Sequence, residues 1–173
     1  MRRFALMVLG LLVLGLAAPV AAQDATPEAS PVHMMGSLDI TPVDGVVSFT
    51  LLEIPASDAV VDQAPEGDSA GDILVFANVL MDESGEMQVG ADQGWCVRTS
   101  VAGGAWECTW TIFLEQGQIV SQGPFFDAGP STMAITGGTG DFAGARGQLE
   151  LSANEDGLFV FAYTVMLDEE MPG

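Results

Sequence analysis

Lysine is absent from this 173-residue chain, and its four basic residues, all arginine, face 24 acidic ones, for a formal net charge of −20. A P-loop needs a lysine to reach the outer phosphates of a nucleotide, so that motif is excluded. Nucleic-acid binding is excluded too, because basic side chains must displace counterions from a phosphate backbone; anionic membranes repel the same surface. Histidine is nearly missing: only His33 occurs. That removes any histidine-based triad from the body of the chain and leaves a metal ion without nitrogen partners, so no metal site is expected. Cysteine is confined to Cys96 and Cys108, which allows at most one disulfide. No amphipathic 3.6-residue stripe is found after the N-terminus.

The N-terminus carries the one long apolar run. Arg2-Arg3 is followed by FALMVLGLLVLGLAA, then PVAAQD with small residues at Val20 and Ala22. This reads as a secretory signal over 1–22, cleaved before Gln23. Phe4–Ala18 is shorter than the ~20 residues of a spanning helix. No cysteine follows the cut to accept a lipid. The expectation is export, no membrane contact after cleavage, and a mature chain of about 150 residues, suited to one domain. QDATPEASPVHMM, polar and without periodicity, reads as a disordered tether over 23–36 holding His33. The folded domain is then 37–173.

What fills that domain is short β-branched and aromatic runs parted by turn residues. They are VVSFTLLEI (46–54), DILVFANVLM (72–81), GWCVRTS (94–100), AWECTWTIFLE (105–115), QIVSQGPF (118–125), TMAIT (132–136), ARGQLELSA (145–153) and LFVFAYTVML (158–167). Eight strands without an obligatory helix predict an all-β antiparallel sandwich or barrel. In the fourth run Trp106, Cys108, Trp110, Ile112 and Leu114 share one face. In the last, Phe159, Phe161, Tyr163 and Val165 share one face while Leu158, Val160, Ala162 and Met166 share the other. A strand apolar on both sides needs cover on both, which points to an oligomer contact.

The two cysteines depend on a turn. A hairpin centred on Ala102 sets Cys96 opposite Cys108 within bonding reach; a two-residue turn at Gly103-Gly104 puts them on opposite faces. The acidic stretch from Ser57 to Asp72 holds Asp58, Asp62, Glu66, Asp68 and Asp72. Its spacing fits no calcium loop, and it reads as a solvated loop, with a lid over a barrel mouth as a further use.

AITGGTGDFAGARGQ (134–148) has five glycines after a β-branched run. A dinucleotide site would need a helix next and then an acidic residue ~20 positions on. Instead the chain continues in strand-like alternation and soon ends. The glycines therefore serve tight corners, with Phe142 as a plug.

These residues resemble the allene oxide cyclase and dirigent superfamily: QGP at Gln122–Pro124, AITGGTGDF at Ala134–Phe142 and GARGQLEL at Gly144–Leu151. GDILVFANVL and GWC at Gly94–Cys96 fit the same order, so the resemblance spans roughly Gly71 to Leu167. It implies an eight-stranded antiparallel barrel, usually trimeric, around an apolar cavity, acting without a cofactor on fatty-acid-, polyketide- or phenol-derived molecules. In the plant cyclases a first-strand glutamate has an asparagine two positions later. LLEIP sets Glu53 at that glutamate and Pro55 at that asparagine. Cys96 matches the pocket cysteine, unless a bridge to Cys108 removes its thiol. Arg146 resembles the dirigent pattern, where the cyclases carry tyrosine.

Glu53 is thus a candidate general acid or base, its pKa raised if it points inward; the alternative is one more surface carboxylate. Cys96 is the second catalytic candidate. Asn78, Arg98, Trp106, Trp110, Phe159, Phe161 and Tyr163 are candidate ligand contacts, although Arg98 is equally suited to a structural ion pair. Three functions compete. A barrel that binds a small hydrophobic molecule leads; a cofactor-free isomerase or cyclase and a filled structural barrel follow.

Overall fold

The computed structural model describes residues 36–167, and in it the chain is a closed barrel of eight antiparallel strands in sequence order. The strands are β1 (Val46–Val61), β2 (Ile73–Asp82), β3 (Gln88–Ser100), β4 (Ala105–Leu114), β5 (Gly117–Phe126), β6 (Ser131–Gly140), β7 (Arg146–Ala153) and β8 (Phe159–Met166). No helix occurs among the described residues. The expected signal segment, His33 and nearly all of the tether lie outside them.

Alternation determines what faces inward. Leu51, Leu80, Ile112, Ile119, Met133, Leu149 and Val165 are buried from seven strands and form one core inside the cylinder. Pairing β8 to β1, with Leu51 opposite Phe161, removes both sheet edges.

The ends differ. At one, the turn between β6 and β7 brings Phe142 under the barrel at 1% exposure, and Leu38 and Ile40 pack against the core from the segment before β1. Gln116, in the turn after β4, donates to the Leu38 carbonyl at 2.9 Å. The glycines here act as corner residues. Gly140 has φ +63°, and a Cβ on Gly138 would lie 2.5 Å from the Phe142 carbonyl oxygen. The other end, where β2, β4, β6 and β8 begin, holds the pocket.

Three strands are longer than their apolar patterns. β1 continues through Pro55 to Val61, so the first part of the acidic stretch is strand rather than loop. β3 begins at Gln88 and β6 runs on to Gly140.

Cys96 and Cys108 are bonded, with Cα atoms 4.0 Å apart. The pairing through Val97–Glu107 and Arg98–Trp106 realises the hairpin centred near Ala102, and a bulge at Ser100 adjusts the turn. With its sulfur in this bridge, Cys96 has no thiol to act as a catalyst, which corrects that assignment.

Candidate functional site

The site begins with an irregularity in β1. Ile54 pairs with Val79 but Ser57 pairs with Ala77, so β1 carries one extra residue at Pro55-Ala56. Proline has no N–H to give a ladder, and the bulge absorbs it at that point. The extra residue also reverses the alternation beyond it. Glu53 and Asp58, which regular alternation would place on opposite faces, therefore both line one pocket, Glu53 buried and Asp58 exposed at its rim.

Asn78 on β2 holds the bulge. Its Oδ1 accepts from the backbone N–H groups of Ala56 at 2.7 Å and Ser57 at 3.2 Å. That fixes the amide, so Nδ2 must face the carboxyl groups, donating to Glu53 Oε1 at 2.8 Å and Asp58 Oδ1 at 3.0 Å. An asparagine does stand beside Glu53, supplied by the neighbouring strand where Pro55 cannot serve. The Asn78 backbone N–H donates to Asp92 Oδ1 on β3 at 3.1 Å.

Asp92 is 2% exposed, and its Oδ2 has no donor among the described residues. It lies beside Glu53, and a proton on Asp92 shared with Glu53 satisfies both groups. Burial, then the Glu53 charge, pushes Asp92 up to about 8. Burial also raises Glu53, while hydrogen bonds from Asn78 and Asp92 offset part of that rise. Near neutral pH burial therefore favours the protonated form of Asp92.

Above the pair lies a pocket of about 60 Å³ lined by Glu53, Asp58, Asn78, Leu74, Phe76, Cys96, Trp110, Phe125, Leu151, Phe159 and Phe161. The aromatic walls are interlocked: Trp110 stacks on Phe161 at 5.6 Å and meets the edge of Phe76 at 5.8 Å. Phe125 and Phe159 meet edge to face at 5.7 Å and border a second groove of about 260 Å³ near the mouth. A volume of about 60 Å³ is smaller than an aromatic ring, so a ring-sized ligand requires these half-buried rings to turn.

Of the residues expected at the site, Glu53, Asn78, Cys96, Trp110, Phe159 and Phe161 line the pocket. Tyr163 lies deeper, stacked on Phe49 at 5.1 Å, with its hydroxyl near Ser121 and the Trp110 indole N–H. Burial raises its pKa. Arg98 and Trp106 sit apart from the pocket lining. Arg98 binds Asp68 through Nε and Nη2, both at 2.9 Å, and gives Nη1 to Asp127 at 2.6 Å. Its guanidinium stacks 4.2 Å from the Trp106 ring, whose N–H donates to Asp127 at 2.8 Å. With its donors so engaged, Arg98 is a clasp between two loops rather than a ligand contact, and Trp106 is part of that clasp.

The sequence reading missed Asp92, Asp58, Phe76 and Phe125. Asp92 falls in the half of β3 left outside the strand pattern, so its facing could not be assigned. Asp58 comes inward only through the bulge, for which Pro55 was the one available sign. Among the described residues no group of three or more His, Cys, Asp or Glu is placed to hold a metal ion.

The family model described as allene oxide cyclase matches residues 53–168. A solved pyocyanin demethylase is 32% identical, with a TM-score of 0.60 over 68% of this chain and 99% of that one. An exo-specific intermolecular Diels-Alderase is 16% identical, with a TM-score of 0.56 over 69% of this chain and 97% of its own. A pterocarpan synthase dirigent protein is 19% identical, with a TM-score of 0.54 over 72% and 96%. The last two likenesses establish a shared fold.

Proposed function

The chain belongs to the allene oxide cyclase family, and from that premise we propose a barrel that isomerises or cyclises a small, largely hydrophobic ligand by moving one proton. The observation that carries this reading is Glu53: a carboxyl group fixed by Asn78, beside buried Asp92, and facing a pocket walled largely by aromatic rings. Glu53 takes a proton from one atom of the bound ligand and returns it to another, so substrate and product are isomers and no oxidant enters the balance. The aromatic walls fix one conformation of the ligand and exclude water, which supplies orientation and a low dielectric. A raised carboxyl pKa brings the base closer to the ligand proton it must remove.

Export is part of the proposal. The basic, apolar and small-residue order of 1–22 supports it, and the Cys96–Cys108 bridge suits an oxidising compartment. Self-association is also proposed, supported by outward positions of β1, β2 and β3 that carry no charged side chain although the chain has 24 acidic residues.

The test is native mass spectrometry of protein purified from its own host, to find the small molecule that travels with it. Pyocyanin, named for the 32% identical relative, is the first reference ligand. Glu53→Gln should keep binding but lose turnover of the identified molecule by about 10²–10⁴-fold. Unchanged turnover would sink the proton-transfer role of Glu53, and a wild type that binds the molecule without converting it would leave the barrel a carrier.

A further inference from the structure

The charges around the pocket all have one sign. Glu53 and Asp58 both line it, held by the two hydrogens of one Asn78 amide. Behind Glu53, Asp92 is buried with Oδ2 lacking a donor. The only basic side chain among the described residues at this end is Arg98, and its charge is spent on Asp68 and Asp127. Arg146 opens β7 at the far end. The remaining walls present π-faces, chiefly Trp110, Phe161 and Phe76. A cation held over such rings is attracted by their quadrupoles, most strongly where water is excluded.

We propose that the pocket selects flat aromatic cations over neutral or anionic molecules of the same shape. This rests on the pocket being the ligand site, and it names the class of ligand. Stacking against Trp110 and Phe161 suits a planar ring, and Asp58 and Glu53 complement its positive charge. A net charge of −20 gathers cations at the mouth and repels anions. A fatty-acid-derived carboxylate, the ligand class that family resemblance brings to mind, would meet like charge throughout and no free cation to answer it.

Three single-ring probes of nearly equal shape test this: N-methylpyridinium, toluene and benzoate, titrated by tryptophan fluorescence at low ionic strength. The cation should bind about tenfold more tightly than the neutral probe, and the anion should not bind. Asp58→Asn should remove most of that preference, bringing the affinity for N-methylpyridinium close to that for toluene. Glu150→Gln, an exposed change on the outside of β7, controls for adsorption to an acidic surface and should leave the preference intact. Equal or tighter binding of the neutral or anionic probe overturns cation selection but keeps the pocket as a ligand site. Equal losses in Asp58→Asn and Glu150→Gln overturn it as well, by assigning the effect to the surface. Failure of all three probes to bind overturns this proposal together with the pocket reading on which it rests.

Discussion

Asp92 is the residue in which stability and function conflict most directly. Its ordinary pKa of 3.8 governs the unfolded chain, whereas burial beside Glu53 pushes it up to about 8 in the folded protein. Between those values the folded state keeps a proton that the unfolded state releases. Stability therefore falls as pH rises from about 4 to 8 and levels off above, where both states are ionised. Asp92→Asn cannot titrate; its Oδ1 still accepts from the Asn78 N–H, and its amide still donates to Glu53. The melting temperature of Asp92→Asn relative to wild type should thus climb between pH 5 and pH 8.5, by thermal denaturation at several pH values. A constant difference across that range would mean Asp92 is not the proton holder. Asn78 makes the complementary case. Removing its amide in Asn78→Ala leaves two bulge N–H groups and two carboxyls unsatisfied, at about 1–3 kcal/mol for each buried group. Chemical denaturation should show a loss of several kcal/mol, and a loss below 1 kcal/mol would mean that solvent replaces the amide.

At the scale of elements, the β3–β4 hairpin and the β1 bulge show what a sequence discloses. The hairpin was legible in part: clean alternation in β4 assigned Trp106, Cys108, Trp110 and Ile112 to one face, and these are buried. Only the turn was ambiguous, because Ala102, Gly103 and Gly104 tolerate more than one connection. The bulge at Ser100 resolved it in favour of the bridge. Replacing both cysteines by alanine opens a loop of 12 residues and should cost about 2–4 kcal/mol in denaturant unfolding. No change on reduction of the wild type would show that the hairpin is held by pairing alone. The glycine turn was legible as well, since Phe142 plugs the barrel among glycines as expected. The bulge was not. An isolated proline in an apolar strand signals an edge or an end as readily as an added residue, and only pairing with β2 distinguishes them. Through that one uncertainty Asp58 stays assigned to a solvated loop, and one of the three clustered carboxyls is hidden.

For the molecule as a whole, the decisive property is where its charge is missing. Twenty-four acidic residues distributed evenly would leave few neutral areas on a barrel of this size. Yet the outward positions of β1, β2 and β3 are uncharged, and Val61, Val75 and Trp95 are 46%, 40% and 49% exposed there. Val75 pairs directly with Trp95 across β2 and β3, so the two form one apolar surface with Ala59 beside them. Exposed apolar patches of this continuity mark contact surfaces, and a central tryptophan is the usual anchor of such a contact. Outward faces of β4 and β7 carry Glu107, Arg146 and Glu150, whereas this wall offers burial without charge repulsion. The wild type should therefore sediment as an oligomer at micromolar concentration. Trp95→Glu places a charge at the centre of the wall while its side chain, already pointing to solvent, disturbs no core packing. It should sediment as a monomer with an unchanged melting profile at low concentration. If both sediment as the same oligomer, the contact lies elsewhere on the barrel, and if both sediment as monomers, the barrel works as a single chain.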